Sequence, residues 1–402
     1  PGPLALAAIQ QGVTTGRNGL GNIYVFAAGN DGYLLDNVNY DGFANLRYVI
    51  AVGSLNENGQ QAFYSEPGSC LFVVAPGGEK ADPTDFASGI ITTDWTGANG
   101  SDASDYAGVQ GTSFAAPAVS GAIALMLQAN PNLTYRDVQY ILAQTARKVD
   151  PSDADWTTNA AGYHINHKYG FGAVDVAAAV QAAKNWKPVG PELARDSGVF
   201  QVNQNIPDNS AVGISSTISM ASDINRVEWA EVTVDISHLS PGDLEIVLVS
   251  PSGTQSVLAT PHIHNPFDTG VQWTFTTNRN WGETSGGDWT LIVRDRVGGI
   301  VGRLNSWRLT VYGQQVPGTP PDLVAVIPNE GSLIEEGAEL AVAPRELILR
   351  FNEGQQLDPT TLGAIQFIRA GGDDSFAEGN EVVVPIGYIG IGDKPNEVIV
   401  RF

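Results

Sequence analysis

Gly108-Val109-Gln110-Gly111-Thr112-Ser113-Phe114-Ala115-Ala116-Pro117 runs straight into an apolar, small-residue stretch that predicts a helix over Ala115 to Gln128. Glycines and small side chains permit a tight loop here. They place Ser113 at a helix N-terminus, where backbone N–H groups and the helix dipole favour developing negative charge. A serine so placed suits acyl chemistry. A Thr-Ser pair ahead of a helix equally suits simple N-capping, and the loop by itself leaves both open.

Upstream, short β-prone runs at Ile23 to Ala28, Tyr48 to Val52 and Leu71 to Ala75 alternate with Gly/Asn turns and predict buried strands. Helices are predicted at Leu4 to Gln11, Tyr135 to Arg147 and Val174 to Ala183, which makes an α/β pattern. Thr134, three positions before Asp137, is a candidate cap for the helix at Tyr135. The run Trp186-Lys187-Pro188-Val189-Gly190-Pro191 has the composition of a linker. Beyond it, Glu231 to Ile236, Leu244 to Val249, Trp273 to Thr277, Trp289 to Arg294 and Ser306 to Tyr312 predict an all-β sandwich or barrel, with Trp273, Trp289 and Trp307 in its core. A second linker, Val316 to Pro321, leads to strands at Leu323 to Ile327, Glu346 to Phe351 and Val382 to Val384.

The string Gly111 to Pro117, Gly-Thr-Ser-x-Ala-Ala-Pro before a small-residue helix, resembles the nucleophile segment of the subtilisin-like serine proteases. That resemblance implies Ser113 as the nucleophile and Asn30, at the end of Ile23-Tyr24-Val25-Phe26-Ala27-Ala28-Gly29-Asn30, as an oxyanion-hole donor beside the Ser113 N–H. Tyr40-Asp41-Gly42-Phe43, Phe63-Tyr64-Ser65-Glu66 and His167-Lys168-Tyr169-Gly170-Phe171-Gly172 resemble the kexin/furin branch. The branch implies Asp36 and Glu66 as Ca2+ ligands, joined by a third acid from upstream, and Asp41 as a carboxylate of the primary specificity pocket for basic residues. Pro241-Gly242-Asp243-Leu244 onward, with Trp281-Gly282-Glu283 and Gly287-Asp288-Trp289, resembles the P domain of that branch. Its implied role is to support the protease fold. The expected organisation is a partial subtilisin-like α/β domain over 1–187, a parallel sheet with helices on both faces. A P-domain sandwich follows over 195–313, then an incomplete bacterial Ig-like module over 322–402.

Pro1-Gly2-Pro3 reads as an internal cut and Glu397 to Phe402 as an interrupted strand. All five histidines, His164, His167, His238, His262 and His264, follow Ser113, whereas the family's catalytic aspartate and histidine precede the oxyanion asparagine. The expectation is that both lie upstream and that this stretch alone is inactive.

A net charge of −22 repels nucleic acid and anionic membrane surfaces, so polypeptides with basic residues and cations are the fitting partners. No stretch reads as long and apolar enough to span a bilayer. The single cysteine, Cys70, excludes an intrachain disulfide and reads as a core thiol. The 46 glycines and 23 prolines suggest many turns and a large β content. The Ig-like resemblance of the tail implies a secreted or cell-surface bacterial protein, and oligomeric state stays open. An alternative of another class, a non-catalytic binding or adhesion segment, rests on the acidic β modules after Lys187.

Overall fold

The computed structural model describes residues 1–80, 89–100, 105–262, 269–315, 323–329, 333–334, 342–351, 357, 359, 362–370, 381–394 and 396–402. The second linker and His264 lie outside the described residues. Two compact units form: Pro1–Met220 with Ile224–Gln315, and Val316–Phe402 with Ala221–Asp223.

In the larger unit, β1 (Tyr24–Ala27), β2 (Val49–Leu55) and β3 (Leu71–Pro76) make a parallel sheet in that order, Tyr24 opposite Val49 and Val52 opposite Val73. Every residue of β2 is buried, as a near-continuous apolar run in a covered parallel sheet requires. Four α-helices accompany it: α1 (Pro3–Thr15), α2 (Thr112–Ala129), α3 (Tyr135–Thr145) and α4 (Val176–Lys184). Helix α2 lies across all three strands and against α4. Its 18 residues are long and apolar enough to cross a membrane, which corrects the expectation that no such stretch exists. The packing is that of a core helix, with Ala115, Val119, Ile123 and Met126 buried.

The cap on α3 is a reciprocal box. Asp137 N–H donates to Thr134 Oγ1 at 3.1 Å and Thr134 N–H to Asp137 Oδ2 at 2.8 Å. The other oxygen, Oδ1, accepts from Trp186 Nε1 and Val189 N, both at 2.8 Å. The stretch read as a linker is therefore an anchored strap, further fixed where Gly190 N–H donates to Gln314 Oε1 at 2.8 Å.

Besides two short two-stranded pairs, Ile90–Thr93 with Tyr106–Val109 and Thr157–Thr158 with His164–Ile165, the rest of this unit has two larger antiparallel sheets among the described residues. One orders Ile214–Met220, Gly287–Asp295, Leu244–Val249 and Gln255–Ala259. The other orders Gly270–Thr277, Arg226–Ser237, Gly302–Gln314 and Leu193–Asp196. Alternate residues point inward, so Val232, Val234, Ile246, Leu248, Trp289 and Trp307 share one core. Trp273 departs from expectation: it is only half-buried, and its indole N–H donates to the Asn39 carbonyl at 2.9 Å in the α/β region.

That contact belongs to an extensive seam. Asn39, fully buried, donates to the Thr276 carbonyl at 2.7 Å and accepts from Ser69 N at 2.7 Å. Asn45 exchanges hydrogen bonds with the backbone of Thr274 and Thr276. Arg136 grips the buried carboxylate of Glu228 through two nitrogens, and Tyr140 donates to the same group at 3.0 Å. Trp229 and Trp281, from the β region, are buried among Phe72, Phe171 and Tyr140, with neighbouring ring centroids 4.8–5.8 Å apart. Cys70 is a buried free thiol whose pKa burial pushes up.

The smaller unit has an antiparallel sheet ordered Leu323–Pro328, Glu346–Phe351, Glu397–Arg401 and Tyr388–Ile391, beside a pair Phe367–Arg369 and Val382–Val384. Its core is small, built on Leu349, Leu362, Val398 and Val400.

Trp281 has no exposed surface and touches four other aromatic rings. Trp281→Ala should cost about 3–5 kcal/mol of stability by the cavity it leaves, read from urea unfolding. A loss below about 1 kcal/mol would show that the seam is not a shared core.

Candidate active site

Gly111 caps α2 at φ +141°, a region closed to side-chain-bearing residues, so the chain turns into the helix within one position. Ser113 is the second helical residue, not the cap, and its side chain is exposed. It stands at the positive end of α2.

Across from it, Asn30 ends the turn after β1. Its Oδ1 accepts from both Thr112 N and Thr112 Oγ1, each at 2.9 Å. A backbone N–H can only donate, so the oxygen must face Thr112 and the Nδ2 amide end is the one left to point away. Thr112, fully buried, also meets the backbone N and O of Gly29 at 3.3 Å. Gly29 is forced: a Cβ there would lie 2.1 Å from Glu66 Oε1, and its φ is +117°. The arrangement offers an exposed hydroxyl at a helix start, placed to attack, and beside it an outward amide N–H of the kind that can donate to a developing oxyanion.

Behind this turn, carboxylate oxygens of Asp31, Asp36 and Glu66 lie within 4.8 Å of one another. Glu66 is buried and accepts from Asp31 N at 3.0 Å. Burial pushes its carboxyl up to about 7, helped by the charges of Asp36, Asp31 and Asp41 and opposed by that hydrogen bond. Three converging acids with one held protonated near neutrality suit a hard divalent cation, whose charge would relieve the repulsion. Asp36 and Glu66 are thus brought together as expected from the sequence, and the third acid beside them is Asp31. Asp41 is exposed. One of its oxygens caps the following turn, accepting from Phe43 N at 2.8 Å and Ala44 N at 2.6 Å.

The four described histidines are engaged elsewhere. His167 Nδ1 lies 3.0 Å from Asp155, a pairing that resembles a general base and its orienter. Its Nε2, however, accepts the Val257 N–H at 3.0 Å, and burial and the Arg279 cation hold the imidazole below its ordinary pKa. His238 faces Asp295, His262 stacks on Tyr40, and His164 lies edge-on to Trp156. Asp31 and Thr112 are neighbours of this site that sequence reading did not single out, though each adjoins a residue it named, Asn30 and Ser113.

Residues 1–172 match the subtilase family and residues 227–311 the proprotein convertase P-domain. The mouse proprotein convertase subtilisin/kexin type 7 is 36% identical over 381 residues, covering 92% of this chain and 48% of that protein. Its human counterpart is 40% identical over 323 residues, covering 78% and 40%. The chain belongs to the kexin/furin-like subtilisin family with a P domain. It spans about half or less of the length of these relatives. Among solved structures, the Aeromonas sobria serine protease in complex with its chaperone aligns with a TM-score of 0.70 at 25% identity, covering 78% of this chain and 68% of that one. The α/β region therefore has the subtilisin-like fold, followed by a sheet-rich P domain, in a family of serine endopeptidases.

In metal-free protein the raised Glu66 pKa has a defined consequence. Its contribution to stability is fully present below the ordinary value of 4.5 and is lost as pH rises through about 7. Relative to Glu66→Gln, chelated protein should lose urea resistance between pH 4.5 and 7; parallel curves for the two would show the raised pKa to be absent.

Proposed function

We propose that the protein containing this chain is a calcium-dependent serine endopeptidase that cleaves after basic residues, with Ser113 as nucleophile. The observation that carries this reading is the Asn30 amide, locked by Thr112 with its Nδ2 end outward beside exposed Ser113 at the start of α2. Ser113 Oγ attacks the scissile carbonyl, and the oxyanion receives hydrogen bonds from Asn30 Nδ2 and the Ser113 backbone N–H. The tetrahedral intermediate collapses with cleavage of the scissile C–N bond, the departing amine takes the proton that the general base removed from Ser113, and water then hydrolyses the acyl ester to release the acid and restore the serine. The described histidines are committed elsewhere, so we assign the general base and its aspartate to residues outside this sequence. On this reading the chain alone does not turn over peptide.

Asp36 and Glu66, with Asp31, would hold Ca2+, which supplies the positive charge that fixes the acidic turn. Asp41 has one carboxylate oxygen spent on its turn, leaving the other for a substrate lysine or arginine. The net charge of −22 favours such substrates. We further propose 1–187, 195–313 and 322–402 as the subtilase, P-domain and Ig-like regions, the last supported by its antiparallel sheet, and a secreted or surface location.

Labelling of the full-length protein by a serine-directed fluorophosphonate should occur and should vanish in Ser113→Ala. Absence of labelling in folded protein favours a binding or adhesion segment instead. Asn30→Ala should lower kcat about 10²–10³-fold with little change in KM, the loss known for an oxyanion donor in a relative. Arginine peptides should be cut only with calcium present. Equal cleavage after leucine would remove the basic preference, and undiminished cleavage in chelator the calcium requirement.

A further inference from the structure

Tyr64 is 3% exposed, yet its hydroxyl meets four polar groups from three separate loops. Gly111 N–H donates to it at 2.9 Å, and Ser54 Oγ lies at 2.8 Å. The carbonyls of Gly77, at 3.1 Å, and of Gly78, closer still, share its single proton. A phenol donates once and accepts twice, so with Ser54 and Gly111 as donors its valence is filled. Burial raises its pKa, which keeps the donated proton in place.

These partners are the end of β2, the turn after β3, and the glycine from which α2 starts. The three approach closely: a Cβ on Gly77 would lie 2.1 Å from Ser54 Oγ and 2.7 Å from the Gly111 carbonyl. The same short segment holds the acidic turn. The Tyr64 carbonyl accepts Gly32 N–H at 2.9 Å, Ser65 Oγ accepts Ser54 N–H at 2.9 Å, and Glu66 accepts Asp31 N–H at 3.0 Å. Phe63 to Glu66 therefore bonds the nucleophile loop on one side and the turn bearing Asp31 on the other, and carries Glu66 to within 4.8 Å of the Asp31 and Asp36 oxygens.

We propose that Tyr64 is a positioning residue that sets the nucleophile loop against the acidic turn, so that a divalent cation at Asp31, Asp36 and Glu66 acts on Ser113 through the Tyr64–Glu66 segment. This rests on the peptidase reading above. Without the phenol oxygen, Gly111 N–H keeps only the Gly77 carbonyl, at 3.0 Å, and the loop stays tied to the acidic turn only through Thr112, by its bonds to Asn30 and Gly29. The cation still binds, but its effect on Gly111 is weakened to what that remaining route carries.

The test is Tyr64→Phe in the full-length protein, with active sites counted by fluorophosphonate burst so that misfolded molecules do not enter kcat. The expected result is a roughly tenfold lower kcat and labelling rate, the equivalent of one lost hydrogen bond in the transition state. KM for an arginine peptide should be unchanged. The calcium concentration that half-protects against thermal unfolding should also be unchanged, while the rise in kcat with calcium is blunted. A merely structural tyrosine would lower the thermal midpoint and leave kcat per active site within about twofold of wild type, which overturns the proposal. Should Tyr64→Phe fail to fold, Ser54→Ala removes one donor and keeps the ring. A drop in kcat of about threefold supports the proposal, and none overturns it. Wild-type protein that does not label would sink the peptidase reading itself; labelled wild type with an equally reactive Tyr64→Phe sinks only this inference.

Discussion

Two tryptophans of the P domain complete the core of the subtilase region. Trp229 and Trp281 are buried against Phe72 of β3, and Trp281 also against Tyr140 of α3 and Phe171. Rings of this size bury more apolar surface than any other side chain, so the two regions are cored together and not merely docked. Around the aromatics, buried amides and the Arg136–Glu228 pair satisfy one another across the seam. Such groups are costly when left unpaired and fix a single register when paired. Among the described residues the subtilase sheet has three strands, and it gains from its neighbour the cover that its own helices do not supply.

Much of this was legible where structure follows from local chemistry. The four helices, the strands that were expected and the capping box at Thr134 obey short-range periodicity and capping rules and lie within a few residues of their expected places, whereas the more polar strands Leu193–Asp196, Ile214–Met220 and Gln255–Ala259 were not foreseen. Gly111 to Pro117 was legible for the same reason: a glycine turn and a helix start are encoded within one short stretch. What was not legible depends on distant partners. Trp186 to Pro191 has a linker's composition, but Asp137, 49 positions from Trp186, binds it down. Trp273 has a core residue's chemistry, but the sheet position it occupies faces Asn39. The apolar length of α2, which sequence reading put below that of a membrane span, reaches it, and its packing against the three strands of the sheet was not legible locally.

The site shows the same division. Ser113, Asn30, Asp36 and Glu66 stand in motifs, whereas Asp31 reads as an ordinary turn acid until the fold sets it beside Glu66. Asp41 is legible as an acid, yet the turn it caps is visible only in three dimensions. The conflict at Glu66, a buried carboxylate among like charges, is a cost that the cation proposed for this turn would relieve.

The seam and the nucleophile loop are joined by one strand. Asn278 of the P domain donates to the carbonyls of Cys70 and Leu71, at 3.2 and 3.0 Å, where β3 begins. Where β3 ends, Gly77 accepts the Gly111 N–H at 3.0 Å, and the Tyr64 hydroxyl lies within reach of both. β3, buried and close-packed along Leu71 to Ala75, therefore runs from a P-domain hydrogen bond at its start to the Gly111 N–H just past its end, so one packed strand links the seam to the residue from which α2 starts.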